Sequence, residues 1–276
     1  MLNDLHIHTT YSDGAFTPDE IIEAAIEKKI RCISITDHDT LNAYGNYTPR
    51  SEITIIPGVE ISTYYKGMEI HVLSYFHDPF DRELRELLEK VKVDRVERYR
   101  KILENLRSLG LELPTDAPPL DSYGRAHIAK LLLSGGHVRT FREAFSLYLD
   151  VDKLAYEKRF KIDARDAVKL LSAAGGTPCI AHPGEKLLTM HFEDLLLDLK
   201  SCGMQGLEVY HPSHTREQMS RLYSLGRKYQ LAITGGSDFH GRKGAPMDLL
   251  GKYGVNEMLL KKLTQCSTRR IRKLNK

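Results

Sequence analysis

The chain has 276 residues, enough for one large domain or for one domain carrying an insertion. Its 41% hydrophobic and 28% charged content is ordinary for a globular protein, and no run of about 18 apolar residues marks a membrane span. Net charge is only +3, and Cys32, Cys179, Cys202 and Cys266 form no CxxC pair, which argues against a disulfide framework and against a thiolate zinc site.

In chain order, Leu2 to His6 reads as a first strand. Asp4 and His6 break up any charged-then-apolar leader there, so a cytoplasmic location is the default expectation. Thr17-Pro18-Asp19-Glu20 is a capping box with proline at the first helical position. Ile21, Ile22, Ala25 and Ile26 then share one face of a helix ending near Lys29. Cys32 to Ile35, Ile53 to Ile56 and Ile70 to Leu73 read as strands, an alternation that predicts a largely parallel sheet or barrel. From 79 to 160 the period changes. Leu84, Leu87, Leu88, Val91, Tyr99, Ile102, Leu103 and Leu106 follow helical spacing until Gly110 stops the run. Pro114 to Pro119 reads as a loop, a second helix begins near Ala126, and the capping box Thr140-Phe141-Arg142-Glu143 announces a third. Lacking any strand signal, 79–160 is expected to be a helical insertion that caps the substrate, with 1–78 and 161–276 forming the main domain.

Alternation then resumes. Ala164 to Ala174, Phe192 to Cys202 and Glu217 to Tyr229 read as helices, and Pro178 to Ala181, Leu207 to Tyr210 and Ala232 to Gly235 as strands. That makes seven strand candidates in all. Without the insertion roughly 195 residues remain, near the lower limit of an eight-stranded barrel, so a seven-stranded α/β barrel fits better. Lys261 to Lys276 carries seven Lys or Arg and no acid, which leaves the rest of the chain at −4. This basic stretch reads either as a nucleic-acid contact or as a solvated last helix.

Histidines and carboxylates recur at the ends of these strands: His6-Ile7-His8, Thr36-Asp37-His38-Asp39, Gly58-Val59-Glu60, Ile70-His71-Val72, Ala181-His182-Pro183 and Ser237-Asp238-Phe239-His240. Alternate residues of an extended segment face the same way, so His6 and His8 reach toward one ion. Nitrogen and oxygen donors from six strand ends suit a hard or borderline divalent metal, and α/β barrels carry their chemistry at the C-terminal strand ends. His77, His137, His191 and His214 fall away from strand ends and are expected at the surface. His127 and His211 stay open between a site role and a packing role.

The segment His6-Ile7-His8-Thr9-Thr10-Tyr11-Ser12-Asp13-Gly14 resembles the opening motif of the polymerase and histidinol phosphatase (PHP) family. Thr36-Asp37-His38-Asp39, Pro57-Gly58-Val59-Glu60, Ala181-His182-Pro183-Gly184 and Gly236-Ser237-Asp238-Phe239-His240 resemble its other motifs in the same order. The resemblance implies a distorted seven-stranded (β/α)7 barrel holding two or three divalent ions of manganese, iron or zinc. It further implies that His6, His8, Glu60 and Asp238 hold one ion. Glu60 would bridge to a second completed by His71 and His182, while Asp13, His38 and His240 would hold a third. A hydroxide between bridged cations is then the nucleophile, phosphate esters the natural substrates, and Glu60, Asp238 and His211 the catalytic candidates.

Gly124-Arg125-Ala126-His127-Ile128-Ala129 and Glu208-Val209-Tyr210-His211-Pro212-Ser213-His214 are similar to motifs of the branch that hydrolyses nucleoside monophosphates, 3′,5′-bisphosphates or 5′-phosphorylated RNA ends. Arg125, His127, Lys158 and His211 become candidates for substrate phosphate, the first aided by a helix N-terminus. Arg125 read as a surface residue capping its own helix, and His211 as a loop residue held by Pro212, are the alternatives. Two departures from that branch stand out: Ala126 replaces its usual proline, and Ala155-Tyr156-Glu157-Lys158-Arg159 replaces an Ala-Tyr-Val-Pro-Lys segment. The expected partners are therefore a phosphorylated small molecule such as a nucleotide, or short RNA or DNA ends, with no membrane and no identified protein partner. A histidinol-phosphate-type metabolite phosphatase, an amidohydrolase and a non-catalytic metal-binding module are the competing readings. The absence of an obvious bridging lysine disfavours the amidohydrolase.

Overall fold

The computed structural model describes residues 2–113, 123–158, 160–189 and 191–274, with side chains up to 267. The expected loop at Pro114 to Pro119, and Arg159 of the 155–159 segment, lie outside the described residues. The ordered elements are β1 (Asp4–Ile7), α1 (Pro18–Glu27), β2 (Cys32–Ile35), β3 (Thr54–Ile55), β4 (Gly58–Tyr65), β5 (Met68–Tyr75), α2 (Arg82–Ser108), α3 (Arg125–Ser134) and α4 (Phe141–Ala144). There follow a π-helical turn (Phe145–Leu149), α5 (Ala164–Ala173), β6 (Thr177–Ile180), α6 (Phe192–Ser201), β7 (Gly206–Tyr210), α7 (Arg216–Lys228), β8 (Ala232–Gly235) and α8 (Glu257–Leu274). No helix among the described residues is long and apolar enough to cross a membrane.

Local chemistry explains the helix ends. Thr17 accepts from the Glu20 N–H while Glu20 reaches back to the Thr17 N–H, satisfying two orphan donors of α1. At α4 only half of the expected box forms. Thr140 accepts from the Glu143 N–H, but the Glu143 carboxylate accepts from Arg139, and the helix passes into the π turn after four residues. Gly110 (φ 80°) ends α2 in the left-handed conformation that a side chain would disfavour.

Among the described residues, eight strands fall into two sheets, β1-β2-β3 and β4-β5-β6-β7-β8. The sheets meet at isolated parallel bridges, His38 with Glu60 and Ile7 with Phe239. Two features depart from the expected pattern. The strand expected at Ile53–Ile56 shrinks to two residues, and an unanticipated eight-residue strand, β4, follows it. β4 and β5 form an antiparallel hairpin closed by Lys66 (φ 48°) and Gly67 (φ 85°), a two-residue turn with both central residues at positive φ. β5 runs antiparallel to both neighbours, whereas β6, β7 and β8 are parallel. Glu60 is thus the third residue of β4, and His71 lies in the N-terminal half of a reversed strand rather than at a strand's C-terminal end.

α2 joins two apolar cores. Leu84, Leu88 and Val91 pack into the large core shared by both sheets, while Tyr99, Ile102, Leu103 and Leu106 pack with Ile128, Ala129, Leu132 and Leu149. Between these stretches lie two buried arginines, Arg95 and Arg98.

Candidate metal centre

β1 delivers His6 at its third residue and His8 just past its end, both fully buried. Close backbone approach makes this possible: a Cβ on Gly236, just beyond β8, would stand 2.3 Å from the His6 nitrogen. The turn after β8 is pinned by Asp4, whose carboxylate accepts from the Ser237 and Gly251 N–H groups at 2.8 Å each. His182 (φ 25°) and Asp238 (φ 48°) both hold left-handed backbone, a conformation that costs of order 1–3 kcal/mol and persists where surroundings over-determine it.

Glu60 is the hub. Its Oε2 lies 3.3 Å from His6 Nε2, 3.3 Å from His8 Nε2 and 3.0 Å from His38 Nδ1. Its Oε1 faces the other way, 2.9 Å from His71 Nδ1 and 2.9 Å from His182 Nε2. Asp238 Oδ1 closes the first group, 3.3 Å from His6 Nε2 and 3.0 Å from His8 Nε2. Asp13 Oδ1 sits 3.1 Å from His240 Nε2, and with His8 and His38 these residues form a second compact donor group. Each group brings its donor atoms within 4.8 Å of one another. All nine expected ligand positions therefore converge on one continuous cluster, with His38 standing between Glu60 and the Asp13 group.

The donors fit a divalent cation. His6 Nε2, His8 Nε2, Asp13 Oδ1, His38 Nδ1 and Glu60 Oε2 are buried without a hydrogen-bond partner among the described residues, which a folded protein tolerates poorly unless something fills the gap. Nitrogen and carboxylate donors with no thiolate among them suit manganese, iron or zinc. Electrostatics agree. Burial alone would drive Glu60 and Asp238 up, yet the histidine charges around them hold both well below the usual carboxylate range. Against the same burial, the close Asp238 and Glu60 carboxylates lift His8 to about 10, and Glu60 lifts His71 to about 9. Of the ligand histidines, His38 moves downward, through burial and the neighbouring His8 charge.

Sequence reasoning missed Glu208. This fully buried carboxylate places Oε1 3.0 Å from His6 Nδ1 and accepts from the His182 N–H through Oε2 at 2.7 Å. It orients one donor in each half of the Glu60 cluster. Its position on a strand in register with the other motifs was the available signal. Asp37 does similar work for the Ser12–Asp13 turn, accepting from the Thr9 N–H, Thr9 Oγ1 and Ser12 Oγ at 2.7, 2.6 and 2.5 Å. The surface assignment of His77 and His214 is overturned, since both are buried. His214 is held between Val209 O and the Gly184 N–H, and burial pushes His77 down to about 4. His137 is half-buried and His191 exposed.

His211 belongs to the cluster, with Nε2 3.4 Å from Asp238 Oδ2. The Ser213 N–H donates to its Nδ1 at 3.2 Å, so the ring proton resides on Nε2, facing Asp238. Arg125 opens α3 and, with His71, His182 and Lys186, lines a cavity of about 180 Å³ beside the cluster. There its guanidinium donates to Leu149 O at 3.1 Å and stands 3.8 Å from Glu69. His127 has both ring nitrogens engaged, Nδ1 accepting from the Gly124 N–H and Nε2 donating to Ser12 O at 3.0 Å. Lys158 is exposed and does not line that cavity.

A PHP domain model matches residues 4–167. The chain is 32% identical over 244 residues to a 5′-3′ exoribonuclease of Haemophilus influenzae, covering 86% of this chain and 89% of that one. It is 31% identical over 246 residues to a 3′,5′-nucleoside bisphosphate phosphatase of Chromobacterium violaceum, covering 86% of each. Among solved structures, a candidate metal-dependent phosphoesterase of Bifidobacterium adolescentis superposes with a TM-score of 0.83 at 26% identity, over 95% of both chains. With that match spanning more than half of its length and these relatives extending it across the later motifs, the chain belongs to the PHP family.

Proposed function

We propose that this protein is a metal-dependent phosphoesterase that removes phosphate from nucleotides, either mononucleotides and 3′,5′-bisphosphates or 5′-phosphorylated oligonucleotide ends. The observation that carries the reading is the division of Glu60: one buried carboxylate offers each oxygen to a different set of histidines. Such an arrangement would suit a two-metal site. His6, His8, Glu60 and Asp238 would hold one ion, Glu60, His71 and His182 a second, and Asp13, His38 and His240 a third. When bound, divalent ions supply Lewis acidity toward phosphoryl oxygens and make water a better nucleophile.

The chain's own residues do the rest. Arg125 offers a planar fork of donors to a phosphate lodged in the adjoining cavity. His211 holds a proton on Nε2 at the edge of the cluster, where it can pass to the leaving alkoxide as the P–O ester bond breaks. His127 and Lys158 remain weaker phosphate candidates, the first because its hydrogen bonds are spoken for and the second because it lies outside the cavity. β1, β2 and β4 to β8 read as seven staves of a distorted barrel with β3 as a spur, and 79–160 as its helical cap. The similarity to both a bisphosphate phosphatase and an exoribonuclease supports the nucleotide class, and a cytoplasmic location is part of the same proposal.

The test is phosphate release from adenosine 3′,5′-bisphosphate by manganese-loaded protein, beside a His8→Ala control. Release abolished by the substitution and by chelation is the expected result. No release from fully loaded protein would overturn the nucleotide reading and favour a small-metabolite phosphatase or a non-catalytic module.

A further inference from the structure

The helices of 79–160 do more than stand over the cavity. Three of their side chains reach the two loops that carry the Asp13 and His38 donors. From α3, His127 Nε2 donates to Ser12 O at 3.0 Å, and Lys130 Nζ donates to Asp13 O at 2.7 Å. The Gly124 N–H donates to His127 Nδ1, which places the ring proton on Nε2 and aims it at Ser12. From α2, the buried Arg95 grips Asp39, the neighbour of His38, through Nε at 2.9 Å and through Nη2, while its Nη1 donates to Tyr123 O at 2.7 Å. Asp39 holds positive φ (53°) and also accepts from the Ser62 N–H at 2.8 Å, so the loop leaving β2 is fixed from two sides.

The other donors are held differently. His6 and His182 are oriented by Glu208 of β7, and the Asp238 turn by Asp4 of β1, all within the sheets. The Asp13 loop, held from the sheet side by Asp37, and the His38 loop therefore also lean on the helical segment, whereas His6, His182 and the Asp238 turn do not. From this asymmetry we infer that the helical segment is a docked clamp that sets the cation affinity of the Asp13–His38–His240 position, with His127, Lys130 and Arg95 as positioning residues. The inference rests on the metal reading proposed above and extends it: the backbone carrying the Asp13 and His38 donors is braced by side chains of the cap, whereas that of His6, His182 and Asp238 is braced from within the sheets. It also gives His127 a task other than binding substrate.

The experiment measures Mn²⁺ binding to the full metal-free chain by calorimetry, with metal content checked by elemental analysis and folding by thermal melting. Lys130→Met keeps the stem and removes the donor, His127→Phe keeps the ring and removes both hydrogen bonds, and Lys130→Arg restores a donor. Asp13→Asn identifies the equivalent that belongs to this position. Loss of a supporting hydrogen bond typically weakens a metal site about 10–100-fold. Lys130→Met and His127→Phe are expected to weaken the equivalent that Asp13→Asn removes by about that factor, to leave the others within about twofold, and to be rescued by Lys130→Arg. Unchanged affinity in both variants, or equal weakening of every equivalent, would overturn the clamp while leaving the metal reading intact. A wild-type chain that binds two equivalents only would also overturn it, and one that binds none would remove the metal reading with it.

Discussion

Replacing Glu208 by Gln changes one atom and removes one charge, yet the structure leaves the amide no comfortable orientation. The carboxylate accepts at both oxygens, from His6 on one side and from the His182 N–H on the other. If the amide nitrogen faces His182, two donors oppose each other and a buried N–H loses its partner, at a cost of about 1–3 kcal/mol. If it faces His6, Nδ1 must accept, and the imidazole proton moves to Nε2, the atom 3.3 Å from Glu60 Oε2 that a cation would need. Either way the cluster loses a charge-assisted hydrogen bond at a fully buried site. Supporting carboxylates of this kind are worth about 10–100-fold in metal affinity, or roughly 1.4–2.7 kcal/mol. The assay is competition of Mn²⁺ against a fluorescent chelator, run on wild type, Glu208→Gln and Glu208→Asp in buffer that keeps all three folded. Because Glu208 orients donors on both sides of Glu60, at least two equivalents should weaken together. Wild-type affinity in a folded Glu208→Gln protein would refute the reasoning, since it would mean that His6 keeps its tautomer without the carboxylate.

Other substitutions probe other parts of the molecule. Arg95→Ala takes its guanidinium away from the buried Asp39 carboxylate, which costs up to about 3–5 kcal/mol and lowers the melting temperature by up to roughly 6–20 °C; a double Arg95→Met/Asp39→Asn variant should recover part of that loss, and a simple sum of the single effects would argue against coupling. Arg125→Ala is expected to raise KM for 3′,5′-bisphosphates far more than it lowers kcat, because its guanidinium stands in the cavity beside the donor cluster; a drop confined to kcat would contradict that placement. His77 supplies a pH signature. Its folded pKa is lowered to about 4 by burial, whereas the unfolded chain titrates near 6.5, so the unfolded state binds more protons as pH falls through this window and stability declines. Between pH 7 and pH 5 the imidazole accounts for about 2 kcal/mol of that decline, and His77→Phe should flatten the urea-midpoint profile by that amount. Parallel profiles for the two proteins would show that His77 titrates normally.

The regular helices and the donor types were legible in the chain because both are written over a few residues. The capping box at Thr17, the apolar stripe of α2 and the glycine at 110 each act on neighbours three or four positions away. So does the pairing of His6 with His8, which needs only the two-residue repeat of a strand. Other features needed the tertiary structure. β4 escaped notice because Ser62, Thr63 and Glu60 break the apolar pattern of a strand buried on both faces, and its turn uses Lys66-Gly67 rather than a stronger hairpin signal. Missing that hairpin also hid the reversal of β5 that carries His71 across to Glu60. Glu208 reads as one more polar residue in a strand until His6, 202 positions away, is set beside it. Lys130 and His127 gain their meaning only where α3 docks against the turn at Ser12 and Asp13. The chemistry of each donor resides in its own side chain and its immediate neighbours. Which donors share a cation, and which buried polar groups hold them in place, depends on strand pairings and helix docking between distant segments, and those are decided only when the two sheets close on each other.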